Sequence, residues 1–588
     1  MNRTHNCGEL RKQDVNKKVT LCGWVHSRRD HGGVIFVDLR DRFGITQIVF
    51  NPDCKYFSDA EKLRREFCIE VSGIVKTRKK NMENPNLATG EIEVLIDDLT
   101  VLNSSEVPPL EVDDRIIASD DIRLKYRYLD LRRPVMQRNL ALRHKAAQAA
   151  REYFNNHGFL EIETPFLVRS TPEGARDYVV PSRVSPGKIY ALPQSPQLYK
   201  QTLMISGFDR YYQIARCLRD EDLRADRQPE HTQLDFEMSF VTAKDIMEFV
   251  EGLLKHILKK TIGVDIKDKF PVYTYKEAME RFGTDKPDIR FSLELIDIGE
   301  IAKQSDFAVF KSAIDAGGRV KCINAKNCAN FSRKDIEELT ELVGIYKAKG
   351  LAWMKITENG LESSIVKFFS KKVQKQLIKL TNAEKGDLLL FVADKEKIVH
   401  TALGELRNEL AKRLKLVNPK EFKFCWVTDY PLFAWNEDEQ RWEPEHHMFS
   451  MPKKEHFKYL ETDPGKVQGD LFDVVLNGIE LGSGSIRITQ PELQRRVMNV
   501  IGMTDEEANK KFGFLLNAYR YGGPPHGGMG LGFDRLLALM IGTNDIREVI
   551  AFPKNKAAEC PMDGSPSEWD PHQLRELRLR LDIIKKRS

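Results

Sequence analysis

The feature that most restricts how this chain can fold is a texture that stops and starts again. Across residues 164–233, polar, charged, Gly and Pro residues crowd between short apolar strands, which is unusual for a simple core. Over about 288–418 that pattern gives way to ordinary helix and strand periodicities, with helical stretches at 334–349 and 401–414. It resumes at Phe422 and runs to Phe552. One texture in two separated stretches predicts one domain split by a self-contained insertion.

Ahead of it lies a different pattern. Residues 19–25, 34–41, 45–50, 68–75 and 91–102 are short, apolar-alternating runs, separated by turn signals such as Asp30-His31-Gly32-Gly33 and Arg42-Phe43-Gly44. A charged, helix-friendly stretch at 58–66 falls between the third and fourth. Three strands, a helix and two more strands in about 100 residues predict a five-stranded barrel of the OB type. Such barrels bind oligonucleotides by stacking bases on aromatics while basic residues hold the backbone. Arg28, Arg29, Arg40, Arg42 and the run Arg78-Lys79-Lys80 supply charge, and Phe36 sits mid-strand with Gln47 on the next. A core Phe and a solvated basic turn explain the same residues, so the barrel alone leaves both readings open.

The segment 103–134 is acidic then basic, carries Pro108-Pro109 and reads as a hinge. A long amphipathic helix follows, from Arg138 to about His157, stopped by Gly158. A mixed tail after Phe552 ends in a basic helix over 571–586. The expected divisions are a barrel at 1–104, a hinge at 105–137, a main domain in halves at 138–287 and 419–553, an insertion at 288–418 and an extension at 554–588.

Composition excludes several alternatives. Basic and acidic residues nearly cancel, 92 against 87, so the chain is not a histone-like polycation, although a local basic face stays open. No apolar run approaches ~18 residues, which argues against a membrane span. Residues 1–12 are polar, which argues against a secretory signal. Nine cysteines without a Cys-x-x-Cys pair fit neither a disulfide framework nor a zinc ribbon. The expectation is a cytoplasmic multidomain enzyme.

Four clusters carry chemistry. The first is Ser170-Thr171-Pro172-Glu173-Gly174-Ala175-Arg176-Asp177, a turn dense in hydrogen-bonding groups. In the second, Gln194 to Lys200, two Pro stiffen a polar loop. The third is Arg219-Asp220-Glu221 through Arg227-Gln228 to Gln233-Leu234-Asp235, where a period of two puts Arg219 and Glu221 on one face. The fourth, Gly528 to Arg535, is a Gly-rich segment opening a helix, which suits a phosphate with Arg535 as a fork of donors. Each has a plainer explanation. A Gly-rich turn is often a packing site, alternating charges are often solvated pairs worth ~0–1 kcal/mol each, and His446-His447 alone would suit a surface pair.

Their order is more informative than any one of them. Phe159-Leu160-Glu161-Ile162-Glu163-Thr164-Pro165, then Arg219-Asp220-Glu221 with Arg227-Gln228, then Gly530-Leu531-Gly532-Phe533-Asp534-Arg535 resemble motifs 1, 2 and 3 of the class II aminoacyl-tRNA synthetases. Ser170 to Asp177, the Gln194–Lys200 loop and Gly478 to Arg487 resemble the bacterial aspartyl type, and the resemblance covers essentially the whole chain. It implies an α+β multidomain protein with an N-terminal OB-type β-barrel and an antiparallel-sheet catalytic domain interrupted by an α/β insertion domain. It also implies a reaction. Aspartate and ATP give aspartyl-adenylate and pyrophosphate, and the aspartyl group then passes to the 3′ end of tRNA-Asp.

The resemblance implies roles residue by residue. Arg219 matches the partner of the α-phosphate and attacking carboxylate, and Arg535 that of the γ-phosphate; with Glu480 they are the expected catalytic set. Asp473 and Glu480, either side of the turn at Asn477-Gly478, match the Mg²⁺ carboxylates. Lys200 and Arg487 match the clamp on the aspartate side chain, Glu173, Gln197 and Asp235 the positions facing its ammonium, and His446 the substrate-side histidine, with a weaker claim for His447. Arg219, Asp220, Glu221, Gln228, Glu480, Gly532, Phe533, Asp534 and Arg535 fall where the family holds ATP. His231 departs from the family, which often has phenylalanine stacking on adenine there; an imidazole would stack less and in a pH-dependent way. In the barrel, Phe36 and Gln47, with Arg29 nearby, fall where the family reads the central anticodon uridine.

Specificity is the finer question. In the family, leucine at the position of His31 accompanies enzymes restricted to tRNA-Asp, and histidine accompanies relaxed enzymes that also charge tRNA-Asn. The expectation is therefore relaxed reading, with strict tRNA-Asp specificity as the alternative; the loop 79–84 offers no further sign. A related asparagine synthetase should lack barrel and insertion, and the long insertion argues against the asparaginyl and lysyl types. A non-catalytic RNA-binding paralogue should have lost Arg219, Glu480 or Arg535. Motif 1 implies a homodimer.

Overall fold

The computed structural model describes residues 3–115, 118–171 and 175–582, and the chain forms two compact units. One comprises Met1–His144, Leu223–Gln228 and Asp545–Asp570; the other comprises Lys145–Asp222, Pro229–Asn544 and Pro571–Ser588.

In the first unit, β1 (Lys18–His31), β2 (Val34–Asp41), β3 (Gly44–Phe50), β4 (Cys68–Thr77) and β5 (Ile92–Asn103) close a barrel in the order β1-β2-β3-β5-β4. Strict alternation selects its core: Leu21, Val25, Ile35, Val37, Leu39, Ile48, Val71 and Val94 point inward, while Phe36 stays half-exposed. β1 runs further than the apolar run 19–25. The turn shrinks to Gly32-Gly33, whose φ of 62° and 75° is the left-handed region that glycine takes without strain. His31 is thus the last, exposed residue of β1, opposite Val34. Arg40 does not supply surface charge. It is buried, with Nη2 2.9 Å from Glu66 Oε2.

The segment expected to be a hinge is instead held by a buried carboxylate. Helices Asp120–Lys125 and Arg127–Asp130 bring Arg123, Arg127 and Arg133 to within 3.0, 2.5 and 3.0 Å of the fully buried Asp130. Arg127 then spends its remaining donors on the carbonyls of Arg547, Ile550 and Ala551. The long helix begins at Pro134 rather than Arg138 and ends at Asn156, before Gly158 at φ 75°. Proline's fixed φ suits a first helical turn, which moves the start upstream of the amphipathic pattern.

The second unit is built on an eight-stranded sheet. Its strands are β6 (Leu160–Glu161), β9 (Arg210–Leu218), β10 (Glu230–Ser239), β11 (Val272–Thr274), β17 (Phe424–Thr428), β20 (Leu471–Leu476), β21 (Ile479–Ile486) and β22 (His526–Gly532), in the order β11-β17-β20-β21-β22-β10-β9-β6. All pairings are antiparallel except the edge pairs β11/β17 and β6/β9. Two small hairpins, β7 (Val179–Pro181) with β8 (Ile189–Ala191) and β18 (Phe433–Asn436) with β19 (Arg441–Pro444), fall in sequence between β6 and β9 and between β17 and β20. Between β11 and β17 lies a second sheet, β12 (Ile296–Asp297), β13 (Arg319–Ala325), β14 (Ala352–Thr357), β15 (Gly360–Glu362) and β16 (Leu388–Asp394), ordered β12-β13-β16-β14-β15 and antiparallel throughout. Its apolar core of Leu, Ile and Val side chains is its own.

The inserted helices expected at 334–349 and 401–414 span Arg333–Ile345 and Glu396–Arg413. The first starts where Ser332 and Asp335 cap each other reciprocally. The tail helix is Pro571–Leu577, shorter than the expected 571–586, of which 583–588 lie outside the described residues.

Removing one partner of a buried ion cluster leaves uncompensated charge behind. Asp130→Asn, which takes from Arg127 its carboxylate partner and leaves Arg123 and Arg133 to Glu548 and Asp114, should therefore destabilise its unit by about 3–5 kcal/mol. A guanidinium titration checks this; a midpoint equal to that of the parent protein would contradict it.

Candidate active site

The middle of the large sheet carries a column of carboxylates on one strand facing glycines on the next. Gln233, Asp235 and Glu237 alternate along β10, opposite Gly532, Gly530 and Gly528 of β22. A Cβ on Gly528 would lie 2.2 Å from Glu237 Oε2, so a side chain there would collide with the carboxylate. Of the Gly-rich stretch Gly528–Arg535, the part up to Gly532 is thus strand and the rest opens the helix. The glycines lie in a strand and clear space above its neighbour; only Gly532 abuts the helix Phe533–Met540.

Lys200, from helix Gln197–Ile205, and Arg487, just past β21, complete the column. Lys200 Nζ lies 2.9 Å from Asp235 Oδ2 and 3.3 Å from Glu237 Oε2. Arg487 grips Glu237 with Nε at 2.8 Å and Nη2 at 3.1 Å. All four side chains are at most 2 % exposed. Two cations and two carboxylates balance, which is what makes their burial tolerable. Burial raises the Asp235 pKa against the pull of Lys200. Burial also works against the Glu237 carboxylate, but Arg487 and Lys200 outweigh it and the pKa falls. Asp235 Oδ1 is buried with no hydrogen-bond partner among the described residues, as is Gln197 Nε2.

Arg487 was expected as a bidentate clamp for substrate. Its fork is already spent on Glu237, its other donors reach Gly528 O at 3.1 Å and Ser485 Oγ at 2.6 Å, and Nη1 also lies 2.6 Å from His447 Nε2. Four of its five N–H groups have acceptors, and the fifth faces the His447 ring. His447 stays neutral, because burial and then Arg487 push its pKa well down.

Beside this column stands a more open set. Arg219 follows β9, its Nε donating to Gln194 O at 3.4 Å, with no carboxylate within ion-pair distance among the described residues. Arg219 and Glu221 do not share a strand face, since β9 ends at Leu218 and the period of two ends with it. Asp220 instead bridges to Arg176, backbone to backbone and Oδ2 to Nε at 3.7 Å. Arg535, in the first turn of helix Phe533–Met540, donates to Glu480 O at 3.2 Å. Phe533 and Asp534 are buried, and Asp534 Oδ2 accepts from Thr232 N at 2.7 Å, tying that helix to β10. Gln228 belongs to the other unit and is engaged there: Oε1 accepts from Lys554 N at 2.7 Å and Nε2 donates to Lys554 O at 3.2 Å. One N–H of Nε2 and one lone pair of Oε1 remain for a further partner. Burial, then Arg219 and Arg535, holds the His231 pKa down at about 3, so the imidazole is neutral at working pH and the expected pH-dependent stacking does not arise there. Glu173 lies outside the described residues.

The pair expected to hold a metal faces a second cationic group. Asp473 on β20 and Glu480 on β21 flank the hairpin turn, with a bulge between Val474 and Val475. Asp473 Oδ2 lies 3.2 Å from His446 Nε2, while its Oδ1 is buried without a partner. An orphaned buried carboxylate oxygen beside a second carboxylate is a donor set that fits a hard divalent ion. Burial works against the His446 imidazolium, but Asp473 and Glu480 outweigh it and the pKa rises. Glu480 Oε2 is 2.9 Å from Lys286 Nζ. Burial alone would raise the Glu480 pKa, but Lys286, Arg535 and His446 bring it below the ordinary value.

On the outer face of the barrel, Arg29 sits opposite Phe36, and Asp38 opposite Gln47. Arg29 Nη2 bonds Asp38 at 3.0 Å and Gln47 Oε1 at 3.3 Å, and Gln47 Nε2 donates to Glu93 at 2.9 Å. Arg78 is buried, its Nε on Ile92 O at 3.0 Å.

Sequence reasoning missed Glu237, Lys286, Asp38 and Glu93. Glu237 had a signal, as the next residue in the Gln233, Asp235 alternation. Lys286 had none, since it enters the site from the segment leading into the insertion.

Residues 119–556 match the family of class II tRNA synthetases (D, K and N), and residues 19–102 match an OB-fold nucleic acid binding domain. The chain is 53% identical over 583 residues to an aspartate–tRNA ligase of Ruminiclostridium cellulolyticum, covering 99% of this chain and 98% of that one. It is 54% identical over 585 residues to an aspartate–tRNA(Asp/Asn) ligase of Desulfotalea psychrophila, covering 99% and 96%. Among solved structures, asparaginyl-tRNA synthetase from Pyrococcus horikoshii with asparaginyl-adenylate is similar in fold, with TM-score 0.58, 22% identity and coverage of 94% and 98%.

His231 carries a pH signature. Its native pKa lies below that of an unfolded histidine, so stability is full above about pH 6.5 and is lost as pH falls towards 3. His231→Phe should lose less stability than the parent between pH 7.5 and 5, by on the order of 1 kcal/mol after allowance for partial exposure. Melting curves at the two pH values check this, and equal losses would contradict it.

Proposed function

Because the chain belongs to the class II tRNA synthetases, we propose for it the reaction of an aspartate–tRNA ligase and assign its residues to that chemistry. The enzyme joins L-aspartate to ATP, releasing pyrophosphate, and passes the aspartyl group from the adenylate to the 3′-terminal ribose of its tRNA. The observation that carries the assignment is the balanced buried cluster of Lys200, Asp235, Glu237 and Arg487.

In this reading the aspartate ammonium lands on Asp235 Oδ1, the buried oxygen left without a partner. The side-chain carboxylate takes a free N–H of Lys200 and displaces His447 or Ser485 from Arg487 Nη1. Asparagine would bring no charge to repay that exchange, and a site built for a charged group rejects its neutral analogue. Arg219, a cation without an acidic partner among the described residues, faces the reacting carboxylate and the α-phosphate. It brings two anions together by positioning and charge. Arg535 serves the distal phosphates. Mg²⁺ fits Asp473 and Glu480, and when bound it neutralises phosphate charge.

The OB-type barrel presents Phe36 as a stacking platform beside Arg29 and Gln47, suited to an unpaired anticodon base. The exposed Leu160, Phe166 and Leu167 of the motif 1 region, each just over half exposed, support a homodimer through that face. No described helix is long and apolar enough to cross a membrane, and a cytoplasmic setting suits the reaction.

His31, exposed at the end of β1, supports relaxed reading of tRNA-Asp and tRNA-Asn. Aminoacylation of matched transcripts with labelled aspartate should show comparable charging of both. His31→Leu should lower tRNA-Asn charging about tenfold while sparing tRNA-Asp, roughly 1.4 kcal/mol of discrimination. Charging of tRNA-Asp alone by the parent enzyme would make it strict, and charging of neither would contradict the function.

A further inference from the structure

Lys286 lies in the segment 283–290, which leaves helix Tyr275–Phe282 and leads into the inserted domain. Its ammonium touches Glu480 Oε2 at 2.9 Å, and its side chain is 42% exposed. The segment is braced from the inserted side. Arg407, fully buried on helix Glu396–Arg413, donates to the carbonyls of Asp288, Phe291 and Leu293 at 2.7, 2.9 and 2.9 Å, and lies over the Phe291 ring at 4.0 Å. From the other side, the hairpin turn before Glu480 abuts it: a Cβ on Gly478 would come 3.1 Å from Asp288 Cβ. The inserted domain thus fixes the backbone that aims Lys286 at Glu480.

A lysine ammonium and a divalent ion cannot share one carboxylate oxygen without mutual repulsion. Glu480 already has Lys286 on it, whereas Asp473 Oδ1 is unpartnered. We propose that Lys286 is the resident counter-ion of Glu480, exchanged for the divalent cation that arrives with the nucleotide, and that the released ammonium then pairs with the polyphosphate. Lys286 keeps the metal carboxylate charged and in place while the site is empty, disfavours metal binding without nucleotide, and adds a cation to the distal phosphates. The proposal rests on the ATP-dependent reading of this site.

The test uses the full-length protein with Lys286→Met, Lys286→Gln as a second neutral variant, and Lys286→Arg. Mn²⁺ binding to nucleotide-free protein, followed by electron paramagnetic resonance, should be about three- to tenfold tighter in both neutral variants, because a competing cation is gone. In ATP–pyrophosphate exchange the KM for ATP should rise about tenfold with a smaller change in kcat, and Lys286→Arg should restore it. Unchanged Mn²⁺ affinity with unchanged KM would overturn the proposal. Weaker Mn²⁺ binding would overturn it too, by making Lys286 a brace and not a competitor. Exchange by the parent enzyme tests the underlying reading separately: if the parent is inactive that reading fails, while the Mn²⁺ comparison still decides what Lys286 does on Glu480.

Discussion

Four charges buried in the second unit set the terms for the rest of its centre. Lys200, Arg487, Asp235 and Glu237 are each held at the cost of lost hydration, and each is tolerable only because the others are there. The arrangement needs an antiparallel sheet whose neighbouring strand has no side chains in the way, which is why Gly528 and Gly530 stand opposite Glu237 and Asp235. It also leaves four of the five Arg487 N–H groups engaged with neighbouring acceptors.

The surrounding architecture serves this centre in ways that a list of motifs does not convey. Helix Gln197–Ile205 delivers Lys200 and helix Phe533–Met540 delivers Arg535, the latter pinned to β10 by Asp534 on the Thr232 amide. The inserted domain, with its own sheet and core, braces the segment that carries Lys286 through Arg407. In the other unit, Asp130 gathers three arginines where the sequence suggested only a connection.

Much of this was legible in the residues, and the failures share a physical cause. Alternation and turn signals located the barrel strands, because period-two burial is a local property, but left open whether Phe36 was a core residue until the structure showed it half-exposed. The change of texture over 288–418 coincides with a separate five-stranded sheet that has its own core and therefore its own periodicities. What escaped depended on partners distant in sequence. Nothing local distinguishes Arg40, neutralised by Glu66, from Arg29 on the surface, or marks Gln228 as spoken for by Lys554. Arg487 was recognisable as a carboxylate binder, but not that the carboxylate in its fork is Glu237, 250 residues upstream. His231 read as a pH-sensitive stacking residue, because nothing local reveals its burial or the approach of Arg219 and Arg535.

The most direct measurement of the central claim is ATP–pyrophosphate exchange with aspartate and with asparagine in Arg487→Gln and Arg487→Lys, with melting midpoints confirming that each variant is folded. If the buried cluster selects the substrate by charge, Arg487→Gln should lower kcat/KM for aspartate by about a thousandfold, roughly 4 kcal/mol. Asparagine should be left nearly where it was, so discrimination collapses, and Arg487→Lys should keep part of it. A folded Arg487→Gln that still prefers aspartate as strongly as the parent enzyme would contradict the account.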